Sequence, residues 1–200
     1  MARKADVTTA SGSGTNGSGE GSPSFDAGGF YEFDLATGSV RDRAGERVVV
    51  LTESVFTPLV QLAVHSGDLT ALRELGGLLG ARVQGIVGDP EAATPSEVFS
   101  AVAGYLAVFG WGRLEVQRWG DALAFRLHDA PAHDEQGLAV SALLGGLMST
   151  LGGADAACVP VADGVFLLVA AEIAEEVWGW AQGAEGVGAL VTRLTQRGAA

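Results

Sequence analysis

The stretch "ALLGGLMSTLGGAD" at residues 142–155 decides how this chain folds. It is an apolar run that contains two Gly-Gly pairs, and a related run, "LGGLLG", lies at residues 75–80. Glycines that bind phosphate lie between a strand and the first turn of a helix, where free N–H groups point at the anion. Both runs lie instead inside helical patterns, and neither continues into Gly-Lys-Ser/Thr. Helix packing is therefore favoured over phosphate binding.

A glycine inside a helix costs about 0.5–1 kcal/mol relative to alanine, and close backbone packing is the gain that offsets this cost. We expect Gly145 and Gly146 to let a helix over residues 137–152 approach the sheet or another helix. Gly152 and Gly153 then end this helix and turn the chain into a hairpin.

The segments after this helix predict a β-hairpin. Residues 156–162 and 165–171 are largely apolar and flank Asp163-Gly164, which is a hairpin turn signal. Pro160 lacks an N–H, which predicts an edge strand or a bulge. The second strand begins with the uninterrupted apolar run "VFLLV", which indicates burial on both faces.

The same order of elements occurs earlier in the chain. "TPSE" at residues 94–97 has the pattern of a capped helix start, and residues 113–128 alternate between polar and apolar about a central turn. A helix–hairpin unit is thus repeated at residues 95–128 and 137–171. Two such units predict an α+β fold, in which an antiparallel sheet is built from hairpins and the helices pack on one face.

The N-terminal half predicts two strands and two helices. Residues 30–35 and 46–52 have strand patterns and predict a hairpin. Helices follow over residues 53–66 and about 68–88. In the first of them an apolar stripe recurs at helical spacing, which is typical of the side that faces a core. The stripe consists of Val55, Leu59, Leu62 and Ala63.

The chain divides into a tail and one domain. Residues 1–24 are rich in Gly, Ser, Thr and Asn and have almost no apolar side chains. Such a segment buries too little apolar surface to offset the entropy of ordering, so we expect a disordered tail. Order begins near Phe25, and residues 25–197 are expected to form a single domain.

Charge and composition exclude several classes of function. The 200-residue chain has a net charge of −12, and its basic residues form no cluster, which argues against binding to nucleic acid or to an anionic membrane. No apolar stretch is long enough to span a membrane, and the N-terminus lacks the apolar region of a secretory signal. The single cysteine, Cys158, has no partner for an internal disulfide. A cytoplasmic location fits these features.

Several of these segments together resemble the 4-vinyl reductase domain family, also called hydrocarbon-binding domains. The likeness spans residues 28–171 and rests on "LRELGGLLGARV", "GWGRLEV" and "SALLGGLMSTLGG" together with the two hairpins. The family is structurally akin to the Bet-three-type subunits of the transport protein particle tethering complex. The resemblance implies homodimers that meet through helices, and a pocket between helices and sheet for a small apolar or aromatic ligand. It also implies a role as a sensor or as an assembly module.

Sensor members of that family bind a structural zinc ion through cysteines and an acidic residue near the last hairpin. This chain has only Cys158 there, together with the carboxylates of Asp155, Asp163 and Glu172. One thiolate and scattered carboxylates do not make a closed tetrahedral site, so we expect no zinc and no other cofactor.

No set of side chains predicts catalysis. The three histidines, His65, His128 and His133, are expected at a helix end, at a strand end and in an acidic loop. Cys158 lies among apolar neighbours, which favours a structural thiol, and the alternative is a thiol that lines a ligand pocket. We therefore expect a protein that is not an enzyme.

Two functions stay open at this point. The first is a homodimeric interaction or regulatory module that acts as a scaffold or adaptor for an unidentified protein partner, with Trp178 and Trp180 as candidates for a contact surface. The second is a sensor or carrier that binds a small hydrophobic or aromatic ligand between helices and sheet. The candidates for lining its pocket are Leu79, Val83, Tyr105, Phe109, Phe125, Met148 and Cys158.

Overall fold

Two antiparallel sheets and six α-helices make up the part of the chain that the computed structural model describes. These described residues are 28–88, 92–120, 122–131, 134, 136–183 and 186–198. The α+β fold class is therefore confirmed. The predicted tail, residues 1–24, lies outside the described residues.

The N-terminal sheet is a meander of three strands. They are β1 (Tyr31–Asp34), β2 (Ser39–Asp42) and β3 (Arg47–Val48), and they pair in that order. The predicted hairpin between residues 30–35 and 46–52 is therefore wrong, because the short polar strand β2 lies between its two strands. The chain turns back early because Asp34 Oδ1 accepts hydrogen bonds from two backbone N–H groups of the turn.

Three helices follow where the sequence predicts them. They are α1 (Glu53–Ser66), α2 (Thr70–Val87) and α3 (Pro95–Val108). The predicted capping box of α3 is present. The Thr94 hydroxyl accepts from the Glu97 N–H at 3.3 Å, and the Glu97 carboxylate accepts from the Thr94 N–H at 2.8 Å. These reciprocal bonds fix where α3 begins.

The larger sheet consists of two hairpins, each preceded by a helix. Helix α3 leads into β4 (Arg113–Trp119) and β5 (Ala122–His128). Helix α4 (Leu138–Gly152) leads into β6 (Ala156–Ala162) and β7 (Val165–Ala170). The strand order is β4-β5-β7-β6, so the two hairpins join through β5 and β7. The repeated helix–hairpin unit is thus confirmed.

The prediction for Pro160 is also confirmed. Pro160 lies on β6, which is an edge strand, and the pairing of β6 with β7 shifts register between Pro160 and Ala162. An edge strand with a bulge tolerates the missing N–H of proline.

Helices cover both faces of the larger sheet, which corrects the expectation of one covered face. Helices α1 to α4 contribute to the core on the first face, whereas α5 (Ala174–Ala181) and α6 (Val187–Gly198) pack on the second. The central strand β7 contributes side chains to the cores on both faces, since Phe166 belongs to the first core and Leu167 to the second. Its uninterrupted apolar sequence is explained by this burial on both sides.

The two glycine-rich runs meet where α2 crosses α4. A Cβ atom at Gly76 would overlap a backbone carbonyl of α4, and a Cβ atom at Gly146 would overlap the backbone carbonyl of Arg73 on α2. A Cβ atom at Gly80 would lie 2.8 Å from the carbonyl oxygen of Leu147. Close packing of two helix backbones is therefore what these glycines provide. We call this contact the α2–α4 seam.

Arg73 connects the seam to the sheet. Its Nη2 donates to Ser149 Oγ at 2.9 Å and to the carbonyl oxygen of Ala156 at 3.0 Å, and it forms an ion pair with Asp155. Gly145 leaves room for this side chain, since a Cβ atom there would lie 2.8 Å from Arg73 Nη1. The adjacent glycines of α4 therefore serve two purposes, because one admits a backbone and the other admits a side chain.

Helix α1 turns most of its predicted core stripe outward. Val60 is buried, whereas Val55, Leu59 and Leu62 are 53%, 57% and 70% exposed. The prediction that these three face the core is wrong, although Ala63 does pack against it. The helix is apolar on two sides, and periodicity alone does not tell which of them the domain covers.

Substitution Gly146→Ala should destabilise the protein by about 2 kcal/mol or more, because the added methyl group meets the backbone of α2 rather than a flexible side chain. Gly152→Ala is the matched control, since it lies in the last turn of α4 and its Cβ atom would meet nothing within 4 Å. The control should be neutral or slightly stabilising. Urea unfolding followed by circular dichroism measures both, and equal stability of the two variants would contradict the role of the seam.

Candidate functional site

The seven residues predicted to line a ligand pocket lie in the core on the first face of the sheet. They come from helices α2, α3 and α4 and from strands β5 and β6, and they belong to one packed cluster. Six of them are buried, and one, Phe109, at the end of α3, is partly buried. The structure thus brings together Leu79, Val83, Tyr105, Phe109, Phe125, Met148 and Cys158.

Aromatic rings at the beginning of β1 and just before it close this core beside α3. The ring centroid of Phe30 lies 6.2 Å from that of Tyr105 and 5.8 Å from that of Phe109. The Tyr31 hydroxyl donates to the carbonyl oxygen of Val108 at 3.2 Å. Burial raises the pKa of both Tyr31 and Tyr105, so their hydroxyl groups stay neutral. The chain's own side chains therefore fill the space beside Tyr105 and Phe109.

Cys158 is a buried thiol on β6. Burial raises the pKa of this thiol strongly, and the positive charge of Arg73 only partly opposes the effect. The backbone carbonyl of Cys158 accepts a hydrogen bond from the Ser141 hydroxyl of α4. Because the thiolate is the reactive form of cysteine, this environment favours a structural role.

The two tryptophans predicted to form a contact surface are half-buried on α5. Both pack against the smaller core on the second face of the sheet. The Arg193 guanidinium carbon of α6 lies 5.6 Å from the ring centroid of Trp180, which is a cation–π contact. Trp178 borders a cleft. Each ring is therefore shared between the chain's own packing and the surface.

A large apolar surface lies on α1 and on the segment that leads into it. Six large apolar side chains there are more than half exposed, and we call them the α1 face. Each exposes on the order of 100 Å², so the face reaches the size of roughly 300–600 Å² at which the largest apolar patch of a monomer is often functional. The α1 face consists of Val49, Val50, Leu51, Val55, Leu59 and Leu62.

A cleft of about 820 Å³ opens around the turn between β6 and β7. Its lining includes apolar side chains, among them Trp178 of α5. It also includes the polar side chains of Arg113, Arg126 and His128 from β4 and β5. None of the seven residues predicted to line a pocket lies in this cleft.

Strand register explains the polar side chains of the cleft lining. Arg113 pairs with His128 and Glu115 pairs with Arg126 across β4 and β5, and all four side chains share the second face of the sheet. Glu115 forms an ion pair with Arg113, and His128 Nε2 lies 3.3 Å from Glu115 Oε2 in poor hydrogen-bond geometry. The His128 and Arg113 contacts hold the pKa of the Glu115 carboxyl below its usual value.

Carboxylates at the rim of the cleft differ in their partners. Asp134 accepts hydrogen bonds from three backbone N–H groups at the start of α4, so its charge caps that helix. Asp129 and Asp163 lie in turns at the rim.

His65 lies at the end of α1 as predicted, and the predicted loop histidine, His133, lies outside the described residues.

Within the described ranges, no three or more His, Cys, Asp or Glu side chains are grouped so that they could hold a metal ion. In the same part of the chain, no helix combines the length and the apolar character needed to cross a lipid bilayer.

Comparison with known proteins assigns no family, because no protein-family model matches the chain and no curated protein matches its sequence.

Sequence reasoning missed both the cleft and the α1 face. For the cleft a partial signal existed, since Arg113, Glu115, Arg126 and His128 alternate with apolar residues and so lie on one face of the hairpin. For the α1 face no signal existed, because Val55, Leu59 and Leu62 follow one another at i, i+4 and i+7, and a helix that faces the core has the same spacing.

Cys158 should resist thiol reagents in the native protein and react only after unfolding. Its side chain is almost fully buried, and burial raises the pKa of its thiol, so little thiolate is accessible near neutral pH. Reaction with a chromogenic disulfide reagent, with and without urea, measures this. Rapid stoichiometric labelling of the native protein would show instead a thiol that opens to a pocket.

Glu115→Gln should destabilise the protein at pH 7, and the difference from the parent should vanish at low pH. The pKa of Glu115 is lower in the folded state, so its contribution is present above the usual glutamate pKa and is lost as pH falls through the lowered value. Urea unfolding at neutral and acidic pH measures the difference. Glu74→Gln, at an exposed position of α2, is the control, and an equal pH dependence of the two variants would count against the pairing.

Proposed function

We propose that this chain is a non-enzymatic homodimeric module that acts as a scaffold or adaptor for a protein partner in the cytoplasm. The observation that carries the proposal is the α1 face, an apolar surface that the described residues leave exposed on a helix whose opposite side is packed into the core. A helix that is apolar on both sides is stable in water when both sides are covered.

The size of the α1 face supports a second copy of the chain as its cover. Six side chains from each of two copies would bury about 1,200 Å² of apolar surface, which is the lower limit for a specific and stable interface. A two-fold interface uses the same patch on both subunits, so one apolar helix face is sufficient to build it.

Charge also favours self-association at this position. Each chain carries a net charge of −12, so two copies repel each other over most of their surfaces. The six side chains of the α1 face carry no charge, and Glu53 is the one acidic side chain among the residues from Val49 to Leu62, so this surface places few like charges in contact.

The protein partner is proposed to contact the exposed parts of Trp178 and Trp180 on α5. These rings lie on the second face of the sheet, whereas α1 contributes to the core on the first face. Dimerisation and partner binding would therefore use different surfaces. Membership of the 4-vinyl reductase domain family, with its dimers formed through helices, is part of the same proposal.

The alternative function is a sensor or carrier for a small apolar ligand held between helices and sheet. It requires the core on the first face to open, because the seven residues proposed to line that pocket pack against one another and against Phe30 and Tyr31. The buried and packed state of these residues makes the scaffold the better-supported function.

The parent protein should have about twice the 20.3 kDa mass of one chain in light scattering at micromolar concentration. The double variant Leu59→Glu, Leu62→Glu should be monomeric and folded, because both side chains are exposed in the single chain and two buried carboxylates would oppose association. Circular dichroism checks that the variant keeps its helices.

Leu35→Glu is the matched control for this experiment. Leu35 is 91% exposed in the turn after β1, outside the α1 face, so the variant should remain dimeric. A monomeric parent, or a double variant that stays dimeric like the control, would contradict the proposed interface.

A further inference from the structure

The cleft around the β6–β7 turn contains a cation that pairs with none of the described residues. Arg126 is exposed on β5, and its side chain forms no hydrogen bond or ion pair in the described part of the chain. Its cross-strand neighbour Glu115 is already bound by Arg113 and approached by His128. One carboxylate therefore faces three basic side chains, in a chain whose net charge is strongly negative.

A second polar group in the same wall also lacks a good partner. The Nε2 atom of His128 is buried, and its 3.3 Å approach to Glu115 does not form a well-aligned hydrogen bond. Buried polar atoms without a hydrogen bond are uncommon in folded proteins and call for an explanation. Arg126 and His128 lie two residues apart on one face of β5, so both belong to the same wall.

Apolar and aromatic side chains also line the cleft. They include the half-buried ring of Trp178, together with Pro160 and Phe166. The cleft volume of about 820 Å³ lies within the range of sites that hold small molecules.

We propose that this cleft binds a small aromatic carboxylate, with its carboxylate on Arg126 and its ring against the apolar side chains of the lining, which include Trp178. The planar guanidinium group matches a carboxylate in a two-bond arrangement. The carboxylates of Asp129, Asp134 and Asp163 in the lining disfavour an anion with two or more charges, which is why a monocarboxylate fits better than a phosphate. The site is separate from the α1 face and does not depend on dimerisation.

Titration calorimetry of the full chain with benzoate and with benzamide tests the proposal. Benzamide has nearly the same shape without the charge, so benzoate should bind at least about tenfold more tightly, as expected for a charge-assisted pair. Arg126→Gln should weaken benzoate binding by about tenfold or more and leave the stability of the protein unchanged, since the exposed Arg126 side chain has no partner to lose.

Arg118→Gln is the matched control. Arg118 is an exposed arginine of the same hairpin, but it lies on the opposite face and does not line the cleft. It should bind benzoate as the parent does. Amide chemical-shift changes on adding benzoate should centre on Arg126, His128 and Trp178. Equal affinity for benzoate and benzamide, equal effects of the two substitutions, or shift changes away from the cleft would each overturn the proposal.

Discussion

The close approach of α2 and α4 is the constraint on which the rest of the structure depends. At the α2–α4 seam the backbones are so near that Gly76 and Gly146 admit no side chain. Dispersion contacts between whole backbones then replace side-chain packing, and they offset the helix propensity that glycine loses. The seam joins a helix of the N-terminal half to the helix that begins the second hairpin unit, so it connects the two halves of the domain.

The sheet takes its position from the same contact. Arg73 leaves α2 beside Gly145 and reaches Ser149 and the start of β6, so the strand is attached to the seam by hydrogen bonds and an ion pair. The inward side of α2 packs against α4, and α1 packs beside these two helices through residues such as Val60. The opposite side of α1 is left uncovered, and this surplus apolar surface is what points to a second subunit.

Local signals in the sequence were sufficient for much of the fold. The capping box at Thr94, the glycines around α4 and the turn at Asp163-Gly164 act over a few residues, and the elements they predict are present. Strand β2 was missed because it is short and polar, and its pairing is set by two turns rather than by its own composition. The apolar run of β7 indicated burial on both faces, but the helices that cover the second face were not placed there, because amphipathic helices such as α5 do not specify which surface they join.

The cleft and the α1 face depend on long-range arrangement, which explains why the sequence did not predict them. The cleft joins the ends of β4 and β5 to the β6–β7 turn and α5, so no short stretch contains it. The outward position of Leu59 follows from how α1 docks, and its helical spacing is compatible with either orientation. Residue patterns predicted the helices and strands, whereas the close backbone contact at the α2–α4 seam decided which of their sides remain exposed for binding.

Native-state hydrogen exchange tests the central role of the α2–α4 seam most directly. If the seam organises the domain, the amides of Leu79 in α2 and Leu147 in α4 exchange only when the whole domain opens, with the same free energy as Leu167 in the central strand β7. Exchange of the two helix amides through a smaller local opening, while Leu167 stays protected, would contradict the account.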